Sequence, residues 1–424
     1  MPGAGTRTAI TNASPPARCL DLTRLISRLG RGPLTGIDRV ELAYLRHLLA
    51  DAVPLFVLVG TVLGYVLLDP KGAQQLLSRI EGRVGWGKPD LIGHLSRKMS
   101  PAKRSAEADL RRLAIARCRK GALGRMLCAE MPAGSVYLNV GHSNLTDQVF
   151  AGWRKVPGAR ITVLVHDTIP LDYTQYQRPG TPDRFRARLR RVGAAADLVV
   201  YNSAATRRDA ERWFRSWGRC PDGIVAHLGV DLLRPVSACL PPDIDLSRPY
   251  FVALGTIEPR KNHAMLLDIW DALARDLTDA DMPGLVIAGS RGWANKDVFD
   301  RLDRSALMER HVFERPGYDD AVVSALLAGS AGLLFPSLAE GFGLPPIEAA
   351  ALNVPVICMD FPVYREFLGN IPVYLKPGDV YSWKQSITRL AQEKQARHER
   401  DAHKVSHFGI PGWDDHFNFV LKVT

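Results

Sequence analysis

Cysteine pairs are missing from this sequence of 424 residues: six cysteines (Cys19, Cys118, Cys128, Cys220, Cys239, Cys358) are scattered with no CxxC spacing. That excludes a disulfide scaffold and fits reduced thiols in the cytosol. Long apolar runs are missing too. The most apolar stretch, residues 53–68, has sixteen residues broken by Gly60 and Gly64, whereas a spanning helix needs about 20. It reads as two short buried strands around a Gly60-Thr61 turn. The opening segment MPGAGTRTAITNASPPARC has no apolar signal core, so Asn12-Ala-Ser and Asn144-Leu-Thr read as chance sequons. His403 and His407 have metal-pair spacing without the HExxH glutamate, and read as a plain helix face. With 46% hydrophobic and 23% charged residues, the chain is neither disordered nor collagen-like.

Acid is the scarcer charge, 44 Asp+Glu against 55 Lys+Arg, but the net +11 is uneven. Residues 1–240 hold 36 basic and 19 acidic side chains, net +17; residues 241–424 hold 19 and 25, net -6. Two domains with different partners are expected. The segment between Val225 and Tyr250 has four prolines and no sustained period, which marks a linker.

Short apolar, β-branched runs recur along the chain: 136–140, 161–165, 198–201, 250–254, 285–288, 332–335 and 354–358. Nearly continuous hydrophobicity suits parallel strands buried on both faces, and their alternation with helices predicts doubly wound α/β sheets. Ligands of such sheets bind at the carboxyl ends of strands. Three strand ends carry polar groups: His166-Asp167, then Gly255-Thr256-Ile-Glu-Pro-Arg260-Lys261-Asn262, then Glu340-Gly341-Phe342-Gly343-Leu344 leading to Glu348.

Arg260 and Lys261 open a helix, where free N–H groups already favour an anion such as a diphosphate. A solvated Arg-Lys pair is the alternative. Glu340 stays on a loop and Glu348 falls in the first turn of a helix from Pro346 to Leu352. Ionised carboxylates at these positions can take the hydroxyls of a sugar and a ribose.

These motifs, with Val286-Ile-Ala-Gly-Ser-Arg-Gly-Trp, Ala196-Asp-Leu-Val-Val-Tyr-Asn-Ser203 and Gly229-Val-Asp231, resemble the retaining glycosyltransferases of family 4. The resemblance implies the GT-B fold, two Rossmann-like doubly wound parallel-sheet domains facing a central cleft. It implies an acceptor-side domain over 1–235, a linker over 236–249, a nucleotide-sugar domain over 250–410 and a C-terminal helix over 411–424 packing back toward the first domain. It further implies that Arg260 and Lys261 bind the donor diphosphate, that Glu340 contacts the transferred sugar, that Glu348 holds the ribose and that His166 lies near the reaction centre. Gly255, Thr256, Gly341, Phe342, Gly343 and Leu344 complete the donor site by the same resemblance. Gly30-Arg-Gly-Pro-Leu-Thr-Gly36-Ile-Asp-Arg39 is similar to the family's glycine loop, with Gly32 or Gly36 as the close-approach residue; it reads equally as a bare turn before a helix over 37–49.

The EGFGLPP form is similar to bacterial mannosyltransferases of polysaccharide and lipopolysaccharide biosynthesis, which implies GDP-mannose as donor and a lipid-linked acceptor. Another GT-B activity, such as a sugar-nucleotide epimerase, and a non-catalytic anion-binding role are the alternatives. No cofactor and no essential metal are expected, because Asp243-Ile-Asp245 and Asp279-Ala-Asp281 do not follow apolar strands.

Residues 79–125 hold thirteen Lys+Arg against four Asp+Glu, with Leu110, Leu113, Ala114 and Arg117 on one helical face and Arg111, Arg112, Arg119 and Lys120 around it. Arg184, Arg186, Arg188, Arg190 and Arg191 form a second cluster. This pattern reads as an anionic membrane surface binder or a solvated face, and hence as a cytoplasmic protein peripheral on the inner membrane face. No nucleic-acid module accompanies it, so nucleic acid is not an expected partner.

Overall fold

The apolar runs form the strands of two sheets in the computed structural model, which describes residues 14–95, 99–398, 409 and 411–424. The first sheet comprises β1 (Arg18–Asp21), β2 (Leu55–Thr61), β3 (Gly64–Leu68), β4 (Ala116–Cys118), β5 (Val136–Asn139), β6 (Arg160–Val165), β7 (Leu198–Tyr201) and β8 (Asp222–Val225). Their spatial order is β4-β3-β2-β1-β5-β6-β7-β8. All neighbours pair in parallel except β2 with β3 and β3 with β4. The second sheet comprises β9 (Tyr250–Leu254), β10 (Gly284–Ala288), β11 (Val312–Arg315), β12 (Gly332–Phe335), β13 (Val356–Met359) and β14 (Val373–Leu375). It is wholly parallel, in the order β11-β10-β9-β12-β13-β14. Sequential parallel strands separated by helices are what the alternating pattern predicts.

Each sheet is covered on both faces. One buried apolar cluster lies on one face of the first sheet, around Tyr137, Trp153 and Phe214, and another packs around Trp270, Leu285 and Trp383 in the second. A third contains residues of both halves, from Leu20 and Tyr44 to Phe342 and Phe417. The helix Trp413–Val420 lies against the first half: Phe417 stacks on His47 at 3.8 Å and His416 Nε2 is 2.7 Å from the Tyr44 hydroxyl.

Two local readings need correction. The hairpin turn is Val62-Leu63, not Gly60-Thr61, because Gly60 pairs with Tyr65 and Thr61 with Gly64 inside the ladder. The Gly60 N–H is also held by the Thr23 hydroxyl at 2.8 Å. The basic helix Pro101–Leu113 stops at Leu113, and Arg117 belongs to β4 at the sheet edge, so these residues do not share one helical face. Arg111 is buried, held by Asp90 at 2.6 Å and Glu107 at 3.4 Å, and Arg112 is paired with Asp109 at 2.7 Å. These two arginines are structural. His403 and His407, and the Asn12 sequon, lie outside the described residues. Among the described residues no helix is long and apolar enough to cross a membrane.

Candidate active site

Carboxyl ends of β6, β9 and β12 gather the charged residues. After β9, Pro259–Lys261 form a single 3-10 turn that ends at Asn262, and the helix His263–Asp276 begins only then. Arg260 and Lys261 therefore sit just before that helix and not in it. From there both reach the loop after β12: Arg260 Nη1 and Lys261 Nζ each donate to Glu340 Oε1 at 2.6 Å. Arg260 also donates to the Ala339 carbonyl at 2.8 Å and pairs with Glu258 at 2.8 Å. Lys261 lies 4.3 Å above the Phe335 ring, with Gly255 leaving room beside its stem.

Burial alone would raise the Glu340 carboxyl, but the Arg260 and Lys261 charges overcome it and hold it at about 2. The same burial lowers the Lys261 ammonium, opposed by Glu340. Arg260 is driven above its ordinary value: burial would lower it, and the surrounding Glu340, Glu258 and Asp167 reverse that. Two cations, Arg260 and Lys261, thus face three carboxyl groups, Glu340, Glu258 and Asp167. An anion entering here would have to take the two cations over from Glu340.

From the other domain, β6 delivers His166 and Asp167. His166 is buried, and its Nε2–H donates to the Val140 carbonyl at 2.7 Å. Burial pushes the imidazole down to about 4, so it is neutral at physiological pH. Burial pushes the Asp167 carboxyl up to about 6 against the attraction of Arg260, with Glu340 adding repulsion. Gly341 brings the two domains together. A Cβ at this position would collide with the His166 carbonyl oxygen and lie 2.7 Å from Asp167 Cβ. The Gly341 carbonyl accepts from the hydroxyls of Ser203 at 3.2 Å and Thr206 at 3.1 Å, both at the start of the helix Ala204–Ser216. A small cavity of about 90 Å³ lies here, lined by Asp167, Thr206, Ala339, Glu340 and Gly341 among others.

Glu348 faces a second cavity in the cleft, of about 240 Å³, with Gly36, Arg39, Asp320 and Leu344. It lies in the helix Leu344–Ala351, entered through Gly343 at φ 90, a left-handed conformation suited to glycine. Arg39 bridges the domains, donating to Glu348 at 2.7 Å and to Asp320. A Cβ on Gly36 would touch Leu344 at 3.3 Å, whereas Gly32 has open space around it. Of the two N-terminal glycines, only Gly36 is brought to the cleft. Thr256 is exposed and packs beside Gly292, and Phe342 turns inward against Phe367 with ring centroids 4.3 Å apart.

Asp167, Glu258 and Arg39 are further charged residues of the cleft. Each lies inside a motif quoted above, yet only the contacts between domains assign it a place. Among the described residues no group of three or more His, Cys, Asp and Glu side chains is arranged to hold a metal ion. Both DxD acids closest to that role are engaged: Asp243 with Arg315 at 2.8 Å, and Asp279 with Arg310 and His311 at 2.7 Å.

Residues 241–404 match the family described as glycosyl transferases group 1. The matched residues are a glycosyl transferases group 1 domain. The chain is 30% identical over 283 residues to the serotype-specific mannosyltransferase WbdA of Escherichia coli, covering 63% of this chain and 34% of that protein. It is 31% identical over 147 residues to the O-antigen chain mannosyltransferase RfbU of Salmonella typhimurium, covering 34% and 38%. The chain spans about a third of the length of WbdA. Among solved structures, Anabaena Alr3699/HepE in complex with UDP superimposes with a TM-score of 0.56 at 14% identity, covering 95% of this chain and 98% of that one. The fold is GT-B. The transferase domain contributes Arg260, Lys261, Glu340 and Glu348 to the cleft, and the first domain contributes His166, Asp167 and Arg39.

Proposed function

We propose that the chain is a retaining, family 4 hexosyltransferase that moves a sugar, mannose from GDP-mannose in the first instance, onto a lipid-linked or growing polysaccharide acceptor. The observation that carries this reading is the pair of cations at 2.6 Å from the largely buried Glu340, facing His166 and Asp167 across the Gly341 contact. Breaking a sugar–phosphate bond leaves positive character on the sugar and negative charge on the diphosphate. Arg260 and Lys261 would take the diphosphate, while Glu340, released from them, would turn to the sugar hydroxyls. Glu348 would exchange Arg39 for the ribose. With two fixed cations available to the leaving group, no essential metal is proposed. The names of WbdA and RfbU support mannose and an O-antigen type of acceptor. The basic first domain would face the anionic inner surface of the cytoplasmic membrane.

The test is transfer of labelled sugar from a panel of nucleotide sugars to a lipid-linked saccharide, with EDTA in a parallel series. Transfer that retains anomeric configuration and survives EDTA is expected, with GDP-mannose preferred. Lys261→Ala should lower kcat/KM about a hundredfold or more, the usual effect of losing one preorganised charge partner. Conversion of the donor into its epimeric nucleotide sugar without any acceptor would instead indicate epimerisation, and binding without transfer or hydrolysis would indicate a non-catalytic role.

A further inference from the structure

The β2–β3 hairpin ends in an anomaly. Thr61 pairs with Gly64, so the turn has two residues, and these are Val62 and Leu63, 61% and 52% exposed. The positive φ of this turn falls on Gly64, at 143, and not on Val62 or Leu63, so the backbone leaves the two tip positions open to any residue. Adjacent exposed aliphatics at such a tip are not explained by burial. Positive charge surrounds them. The Gly64 backbone is packed against Cys118 and Arg119, Tyr65 is in register with Cys118, and Val66 is in register with Arg117. Arg117, Arg119 and Lys120 are exposed. None of the three has an ion pair among the described residues, in contrast to the internally paired Arg111 and Arg112. The exposed Arg125 follows on the next helix, Leu123–Glu130.

We infer that this hairpin tip is the membrane-contact element of the protein, with Val62 and Leu63 inserting into the interface of an anionic bilayer while Arg117, Arg119 and Lys120 bind its headgroups. This rests on the membrane contact proposed above and moves it from the helix over 101–113 to the sheet edge. Apolar insertion beside unpaired cations is the combination that an anionic lipid surface selects. Position supports the assignment. Strands β2, β1, β5 and β6 are adjacent and parallel, so the tip leaves the same sheet end as His166. Three strand spacings separate β2 from β6, roughly 14 Å laterally. A saccharide on a lipid anchored at the tip would need only a few sugar units to reach the cleft.

Sedimentation of the full chain with vesicles of phosphatidylglycerol and phosphatidylcholine, against pure phosphatidylcholine, tests the inference. The protein should bind the anionic vesicles. Arg119→Glu with Lys120→Glu should weaken that binding by at least about thirtyfold, as expected for two lost headgroup contacts. Val62→Ser with Leu63→Ser should weaken it by about tenfold or more. Arg275→Glu with Arg304→Glu, an equal charge change at exposed positions in the other domain, should leave binding nearly unaltered. A Leu63→Trp variant should show a blue-shifted emission on the vesicles. The assignment is overturned by wild-type binding in the tip variants, by an equal loss in the Arg275/Arg304 control, by an unshifted emission from the Leu63→Trp variant, or by no binding to anionic vesicles. Tight capture on a lipid-free acidic polymer that ignores Val62 and Leu63 would overturn it in favour of a soluble polyanion. Donor hydrolysis in solution separates this result from the catalytic reading: the tip variants should retain it, and its absence in the wild type would count against the transferase reading alone.

Discussion

Two carboxyl groups in one cleft are held at opposite ends of the carboxylate range, and the difference is set by their neighbours. Glu340 has two cations within 2.6 Å and titrates at about 2; Asp167 has Arg260 as its main attractive charge and titrates at about 6. For Glu340 the folded value lies below the unfolded one. Its contribution to stability is therefore present above about pH 4.5 and lost as pH falls toward about 2. Asp167 has the reverse sign: its folded value is raised, so above pH 6 it costs the fold about 3 kcal/mol that is absent below about pH 4. Asp167→Asn, which keeps an acceptor for the Ile169 N–H, should raise Tm at pH 8, have little effect at pH 4, and lower transfer activity. An unchanged Tm at pH 8 would show that Asp167 is not destabilising. Arg260, Lys261, Glu340 and Glu348 were legible in the sequence because each follows an apolar strand at short range. Asp167 was visible only as a neighbour of His166. Its altered acidity depends on the other domain covering it, which no local pattern encodes.

At the scale of elements, the helix Ala204–Ser216 couples the domains through its first turn. Ser203 caps it, accepting from the Thr206 N–H at 2.9 Å, while the same hydroxyl and that of Thr206 hold the Gly341 carbonyl. Glu366 of the second domain accepts from the Ala204 N–H at 2.8 Å and meets His227 at 2.9 Å. Gly341→Ala would drive a methyl into the His166 carbonyl, and the contact would have to open. Transfer should fall by two orders of magnitude or more, while circular dichroism stays native because neither sheet is disturbed; wild-type transfer would show that the contact is not needed for turnover. Ser203→Ala should cost about 1 kcal/mol of stability, the usual effect of losing an N-cap, and chemical denaturation reads it. The sequence predicted parallel strands well because burial on both faces leaves an apolar run. It misplaced the hairpin turn because Gly60 and Thr61 look like turn residues, whereas cross-strand pairing with Tyr65 and Gly64 uses them as strand.

Over the whole molecule, the sequence showed a basic and an acidic half; the structure adds how much of that charge is neutralised internally, as with Arg111 on Asp90 and Arg39 on Glu348. It also shows several histidines buried in neutral form. Burial lowers His142 well below its ordinary value, His166 to about 4, His263 to about 3 and His416 to about 4. They lie in three places: His142 and His166 side by side at the carboxyl end of the first sheet, with ring centroids 5.0 Å apart, His263 at the helix after Lys261, and His416 in the C-terminal helix facing Tyr44. In the unfolded chain each would take a proton near pH 6.5. Their folded values are depressed, so at these sites the unfolded state binds more protons as pH falls from about 6.5 to about 4, and the histidine share of stability falls with it, against the opposite contribution of buried acids such as Asp167 whose folded values are raised. Each histidine contributes about 1.4 kcal/mol per pH unit within that window. That share should be level between pH 7 and 8 and fall between pH 6 and 4.5. His416→Gln should therefore gain stability relative to the wild type as pH falls through that window, by about one histidine's share per pH unit. A stability difference between the two proteins that stays constant from pH 7 down to pH 5 would mean that His416 takes up its proton in the fold near its ordinary value, and its place as a neutral ring between the C-terminal helix and Tyr44 would have to be abandoned.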